Sequence, residues 1–175
     1  MPGWWLKRRL LRQLQAGHHW SHQAAHFLEC LGGGLDVSRA SLFEAFEDDT
    51  GALCVRQRNE WVAAGVRATI EEAEYQAAAP TDMGLMDWAQ RLIDGQPVII
   101  EDAAKLASAA ERALMASQDN QACLVYPLLV HDRFWGFLAA DEVRRPRSWR
   151  EPERRLMAQA AKMLGRKIAQ APAPH

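Results

Sequence analysis

The chain has 175 residues, 25% of them charged, and a formal net charge of −1, so no global field draws it toward nucleic acid or an anionic membrane. Its length suits one domain that buries about two-thirds of the surface its unfolded form exposes. No apolar run approaches the roughly 20 residues that span a bilayer, and the early leucines are broken by Lys7, Arg8, Arg9 and Arg12. A soluble, cytoplasmic protein without a membrane span or nucleic-acid partner is expected.

Leu6, Leu10 and Leu14 at four-residue steps, followed by Trp20, Ala24, Phe27, Leu28 and Leu31, predict a helix that Gly17 weakens in its middle. Gly32-Gly-Gly34 is read as its stop, because glycine adopts positive φ freely. Residues 39–47 are apolar on both alternating faces and predict a covered strand. Turn chemistry at Glu47-Asp-Asp-Thr-Gly51 then returns the chain as a second strand, 52–61. Arg56, Gln57, Arg58 and Asn59 suit a sheet edge, where charge discourages pairing with other molecules.

Residues 65–82 show no clear period. Asp82 is a plausible N-cap for a helix carrying Leu85, Trp88, Ala89 and Leu92, stopped by Gly95 and followed by a short strand at 97–100. Ser108, with Glu111 three residues on, starts a further helix to Ser117. Residues 122–130 and 134–142, apolar on both faces and separated by His131-Asp-Arg133, predict a central hairpin. After Pro152, the steps Leu156, Ala160, Leu164 and Ile168 predict a final helix. This order indicates an α+β fold rather than regular βαβ winding.

Cys30, Cys54 and Cys123 are odd in number and widely spaced, which fits buried thiols better than a disulfide framework or a tetrahedral metal site. His18, His22 and His26 would align on one side of a helix, as metal-binding imidazoles could. That side lies opposite the apolar stripe and faces solvent or a partner, and closure by further ligands is not evident. Trp4-Trp5 beside the first basic cluster also admits a membrane-surface or partner-helix role.

Five segments in order resemble the GAF family of sensory domains. They are Leu35-Asp-Val-Ser-Arg-Ala-Ser-Leu-Phe43; Glu60-Trp61; Trp88 ahead of Leu92-Ile-Asp-Gly-Gln-Pro-Val98; Leu124-Val-Tyr-Pro-Leu128; and Trp135-Gly-Phe-Leu-Ala-Ala-Asp-Glu142. Arg147-Ser-Trp149, Glu153, Leu156 and Ala160-Ala161 follow the last of them. The resemblance implies a GAF/PAS-like antiparallel sheet of order 2-1-5-4-3 flanked by helices, with N- and C-terminal helices packed together on one face. It divides the chain into a helical extension at 1–17, a GAF-like domain at 18–170 and a disordered tail at 171–175.

The resemblance also implies a regulatory, non-catalytic small-molecule sensor that pairs as a homodimer through its terminal helices and acts on an output domain or partner. Ligand and cofactor are unknown. In that family, ligands sit between the sheet and the segments crossing it, here around 82–122. Trp88, Asp102, Arg112, Cys123, Tyr126 and Phe137 are the candidate ligand-binding residues, an aromatic wall with a few polar groups; Trp61, Trp135 and Trp149 are read as packing.

Cyclic-nucleotide relatives carry an Asn-Lys pair that is missing at Glu142-Val143, and Phe137-x-x-x-Asp141-Glu142 falls in a strand instead of at the last helix. Bilin-binding relatives attach the chromophore through a Cys, commonly followed by His, before the fourth strand, and residues 108–121 contain neither. The alternative to a sensor is a ligand-free dimerisation module. A remote alternative is a GAF-type free methionine sulfoxide reductase, which needs three cysteines in one activated pocket. No Ser-His-Asp set, phosphate-cradling loop or catalytic carboxylate pair is evident.

Overall fold

A computed structural model describes residues 3–15 and 19–171. The elements are α1 (Gly3–Gln15), α2 (Trp20–Leu35), β1 (Arg39–Glu47), β2 (Leu53–Val62), α3 (Met86–Ile93), β3 (Val98–Ile100), α4 (Ala109–Ser117), β4 (Ala122–Val130), β5 (Arg133–Glu142) and α5 (Glu151–Ala169). All neighbouring strands pair antiparallel in the order β2-β1-β5-β4-β3, with β4 and β5 inside the sheet as their two-sided apolar pattern requires. His131 and Asp132, both at positive φ, make the tight turn between β4 and β5.

α1, α2 and α5 cover one face of the sheet. Leu6, Leu10 and Leu14 of α1 join Phe27, Leu28 and Leu31 of α2 and Met157, Ala160 and Leu164 of α5 over Leu42, Leu124, Leu128, Leu138 and Ala140. The stretch at 1–17 therefore contributes to the main core through α1. Of the disordered tail expected at 171–175, all but Ala171 lies outside the described residues, as does His18.

The triple glycine does not stop α2, which runs through it to Leu35 and ends on Asp36 in the left-handed conformation. A Cβ on Gly32 would lie 2.2 Å from the Trp61 ring, and one on Gly34 would lie 2.2 Å from Leu6. These glycines serve close approach of the helix to β2 and α1, and tertiary packing overrides their low helix propensity. Asp82 is likewise not an N-cap. Residues 79–85 turn with Leu85 N–H donating to the Pro80 carbonyl, which moves the start of α3 to Met86.

At the entry to α5, Glu153 accepts from the Arg150 backbone N–H at 2.8 Å and from Arg147 at 2.7 Å, an acidic first turn that complements the helix dipole. Glu142 ends β5 beside it. Burial acts to raise the Glu142 pKa, but hydrogen bonds from Arg144 and Ser38 outweigh it and hold the value at about 2.

A candidate ligand cavity under the second face

The opposite face of the sheet is covered by segments 63–97 and 101–121, which supply only short helices and turns. Strand alternation points Arg39, Ser41 and Phe43 of β1, Cys123 and Val125 of β4, and Phe137, Ala139 and Asp141 of β5 to this side. Pairing sets them in rows. Arg39, Asp141 and Cys123 lie abreast, then Ser41, Ala139 and Val125, then Phe43, Phe137 and Pro127. The middle row is small, and it floors a cavity of about 100 Å³.

The aromatic end is formed by Phe43 and Phe137, stacked with centroids 4.7 Å apart, and Trp88 closes over it. The Trp88 indole N–H donates to Glu111 at 2.6 Å, so this carboxylate fixes the Trp88 ring, while Ser108 caps α4 by accepting from the Glu111 backbone N–H. Met83, Leu85, Leu92, Leu114 and Met115 complete the apolar cover.

The other end is polar. Arg39 is 1% exposed; its Nε faces Asp141 at 3.4 Å, and its remaining nitrogens donate to the Arg67 carbonyl, the Gln118 carbonyl and Asn120 Oδ1 at 3.0, 2.5 and 2.6 Å. A buried charge persists when its hydrogen-bonding capacity is met in this way. Burial raises the Asp141 pKa despite the neighbouring Arg39 and Asn120. Ser41 accepts from Gln57, and the Thr69 hydroxyl donates to Glu60 at 2.8 Å.

The cover is fastened to itself and to the sheet. Arg67 bonds Glu72, Asp119 and the Ser117 carbonyl, Tyr75 shares a hydrogen bond with Ser117 at 2.9 Å, and Ala78 bridges Val55 of β2. Burial first, and then Glu74, push the Tyr75 phenol up to about 12, so it stays protonated.

Among the candidates from sequence, Trp88, Cys123 and Phe137 line this cavity. Tyr126 lies on the other face, against the helical core, because it is an odd number of residues from Cys123 along one strand. Asp102 caps a short turn by accepting from the Ala104 N–H at 3.1 Å, and exposed Arg112 donates to the Leu106 and Ala107 carbonyls. Neither lines the cavity. Its polar members Ser41, Thr69, Tyr75, Gln118, Asn120 and Asp141 are additional to the sequence candidates. For Asp141 and Ser41 a signal existed, since each is a polar residue in or at the end of a run apolar on both faces, 40–43 for Ser41 and 134–140 for Asp141.

Cys30 packs on the helical side and Cys123 on the cavity side, so the sheet separates them. Burial pushes the Cys123 thiol well above its ordinary value, with Asp141 and Glu111 adding to the effect. This is the reverse of thiolate activation. His22 and His26 are exposed, and among the described residues no group of three His, Cys, Asp or Glu is placed to hold a metal ion. No helix among these residues is long and apolar enough to cross a membrane.

The family model of the GAF domain matches residues 24–168. The methanogenesis regulatory histidine kinase FilI of Methanothrix harundinacea is 30% identical over 140 residues, 79% of this chain and 15% of the kinase. The chain therefore spans under a sixth of that relative's length. Among solved structures, the far-red absorbing dark state of a protein with bound biliverdin IXα superposes with a TM-score of 0.80 at 15% identity, over 94% of this chain and 98% of that one. The phycocyanobilin-bound GAF domain of a cyanobacterial phytochrome gives 0.78 at 14% identity, over 97% and 95%. At these identities the likeness concerns the fold.

Proposed function

The chain belongs to the GAF domain family, and from that premise we propose that it is a cytoplasmic, non-catalytic sensor domain of a signalling protein. It takes a small ligand in the cavity under α3 and α4 and passes the change to an output domain or partner. The observation that carries this reading is the cavity itself: an apolar hollow with one buried polar end, placed where the sheet meets its loosest cover. Small-molecule sites have this make-up.

A ligand acts by binding one arrangement of the cover better than another. The cavity volume of about 100 Å³ is below the roughly 300 Å³ at which ligand pockets usually begin, so a ligand larger than one small ring requires the cover to lift. A covalent tetrapyrrole is disfavoured, because the cavity's cysteine, Cys123, is a buried, protonated strand residue. The separation of Cys30 from Cys123 argues against a three-cysteine reductase.

The test is native mass spectrometry of freshly purified protein together with thermal shift against a metabolite library. A bound species, or stabilisation of about 2.7 kcal/mol at a hundredfold excess over Kd, is expected. Loss of that effect in Ala139→Leu, which fills the cavity floor, locates the ligand. No adduct and no shift across broad chemistry would overturn the sensor.

A second reading, an interaction module that pairs as a homodimer through α1 and α5, draws support from Trp4 and Trp5, 60% and 41% exposed on α1. Both readings carry the homodimer, so ligand binding, measured beside sedimentation equilibrium, separates the two. A dimer that Trp4→Ser and Trp5→Ser dissolve, in a protein that binds no small molecule, favours the module.

A further inference from the structure

We propose that the cavity selects by charge: it admits a small ring bearing a cationic hydrogen-bond donor, such as an arylmethylammonium, with the donor on Asp141, and it rejects carboxylates. The inference rests on the reading of this cavity as the sensing site and adds the chemical class of what enters it.

Shape sets the first half. Ser41, Ala139 and Val125 leave a hollow between the stacked Phe43–Phe137 pair, Trp88 and the Asp141 row, room for one small ring lying against aromatic faces. An apolar cavity of roughly 150 Å³ accommodates benzene. Here about 100 Å³ is open, and Met83 and Met115, unbranched and adaptable, are the walls that yield the remainder.

Charge sets the second half. Asp141 lines the cavity, whereas Arg39, its partner, is turned to the Arg67 and Gln118 carbonyls and to Asn120 Oδ1 and shows the cavity no free donor fork. Two further carboxylates stand just behind the lining: Glu111 on the Trp88 indole N–H and Glu60 on Thr69. Arg67 is taken up by Glu72, Asp119 and the Ser117 carbonyl. An entering anion would meet the Asp141 carboxylate and no available cation, and neutral donors such as the Ser41 hydroxyl would replace little of its hydration. The cavity already opposes one anion in this way, since burial first, and then Asp141 and Glu111, hinder ionisation of the Cys123 thiol.

Benzylamine, toluene and benzoate share a ring and differ in the group they carry, so their affinities for the wild-type chain, measured at pH 7 by ligand-observed NMR and calorimetry, test the idea. Benzylamine is expected to bind at least tenfold more tightly than benzoate and more tightly than toluene, and Ala139→Leu to abolish binding. In Asp141→Asn, benzylamine should fall to the level of toluene. Should the stranded Arg39 unfold that variant, the order of the three probes on the wild-type chain still decides. Benzoate equal to or tighter than benzylamine, or toluene equal to benzylamine, overturns the charge selection while leaving the cavity as a binding site. Failure of all three to bind overturns the selection and removes support from the sensor as well.

Discussion

On β5, Ala140 and Ala139 are consecutive and face opposite ways. Ala140 is fully buried under α2 and α5 among leucines, and Ala139 floors the cavity. The same strands thus build a filled core on one side and a hollow on the other. The difference lies in what covers them. Three amphipathic helices with glycines at their closest contacts can settle onto a sheet until no space is left, whereas α3, α4 and the turns before and between them, fastened by hydrogen bonds at Arg67, Tyr75 and Ala78, span the sheet without filling it. A packed face suits stability, and a bridged one suits admission of a ligand.

The sharpest way to break this comparison is to enlarge both alanines. Ala140→Leu is expected to cost about 3 kcal/mol through overpacking, and Ala139→Leu to be neutral or to gain up to about 1 kcal/mol by filling the hollow. Urea unfolding of the two variants measures both. Equal losses would mean that the faces are equally packed.

Neighbouring carboxylates supply the next contrast. Glu142, held at about 2 against an ordinary value of 4.5, contributes stability that is complete above pH 4.5 and is lost as pH falls toward 2. At roughly 1.4 kcal/mol per pKa unit this amounts to about 3 kcal/mol. Asp141 runs the other way: burial raises its pKa, so its contribution is present at low pH and is lost as pH rises through its folded value. Glu142→Gln should therefore flatten the acid limb of a stability-versus-pH curve, and carboxyl carbon NMR should show Asp141 titrating above Glu142.

The smallest effects come from the glycines of α2. Gly32→Ala, which meets the Trp61 ring, should lose about 2 kcal/mol. Gly33→Ala, with open space around its Cβ, should gain about 0.5–1 kcal/mol from improved helix propensity. Thermal denaturation of the pair reads the difference. Two gains would mean that α2 does not approach β2 as closely as described.

The sheet was legible because its signals are local. Two-sided apolar alternation marks β4 and β5 as interior, and Arg56 and Arg58 mark β2 as an edge, where both pair with Glu44 on β1. The path of α2 through Gly32-Gly-Gly34 was not legible, since the reason for those glycines is Trp61 and Leu6, remote in sequence. The cavity was half legible. Trp88, Cys123 and Phe137 follow from where the resemblance puts a ligand, and parity along β4 could have excluded Tyr126. The segment at 65–82 has no period, so Thr69 and Tyr75 acquire meaning only from the folded partners they reach across to.

Asp141 looks into the hollow, and Glu142, the next residue, holds Ser38 and Arg144 and stands 3.5 Å from Arg147, which in turn grips Glu153 in the first turn of α5. One peptide unit is therefore the whole covalent distance between the interior of the chamber and the mooring of the longest helix. The two carboxylates point to opposite sides of β5, so the lining of the hollow and the anchorage of α5 share a single link of backbone.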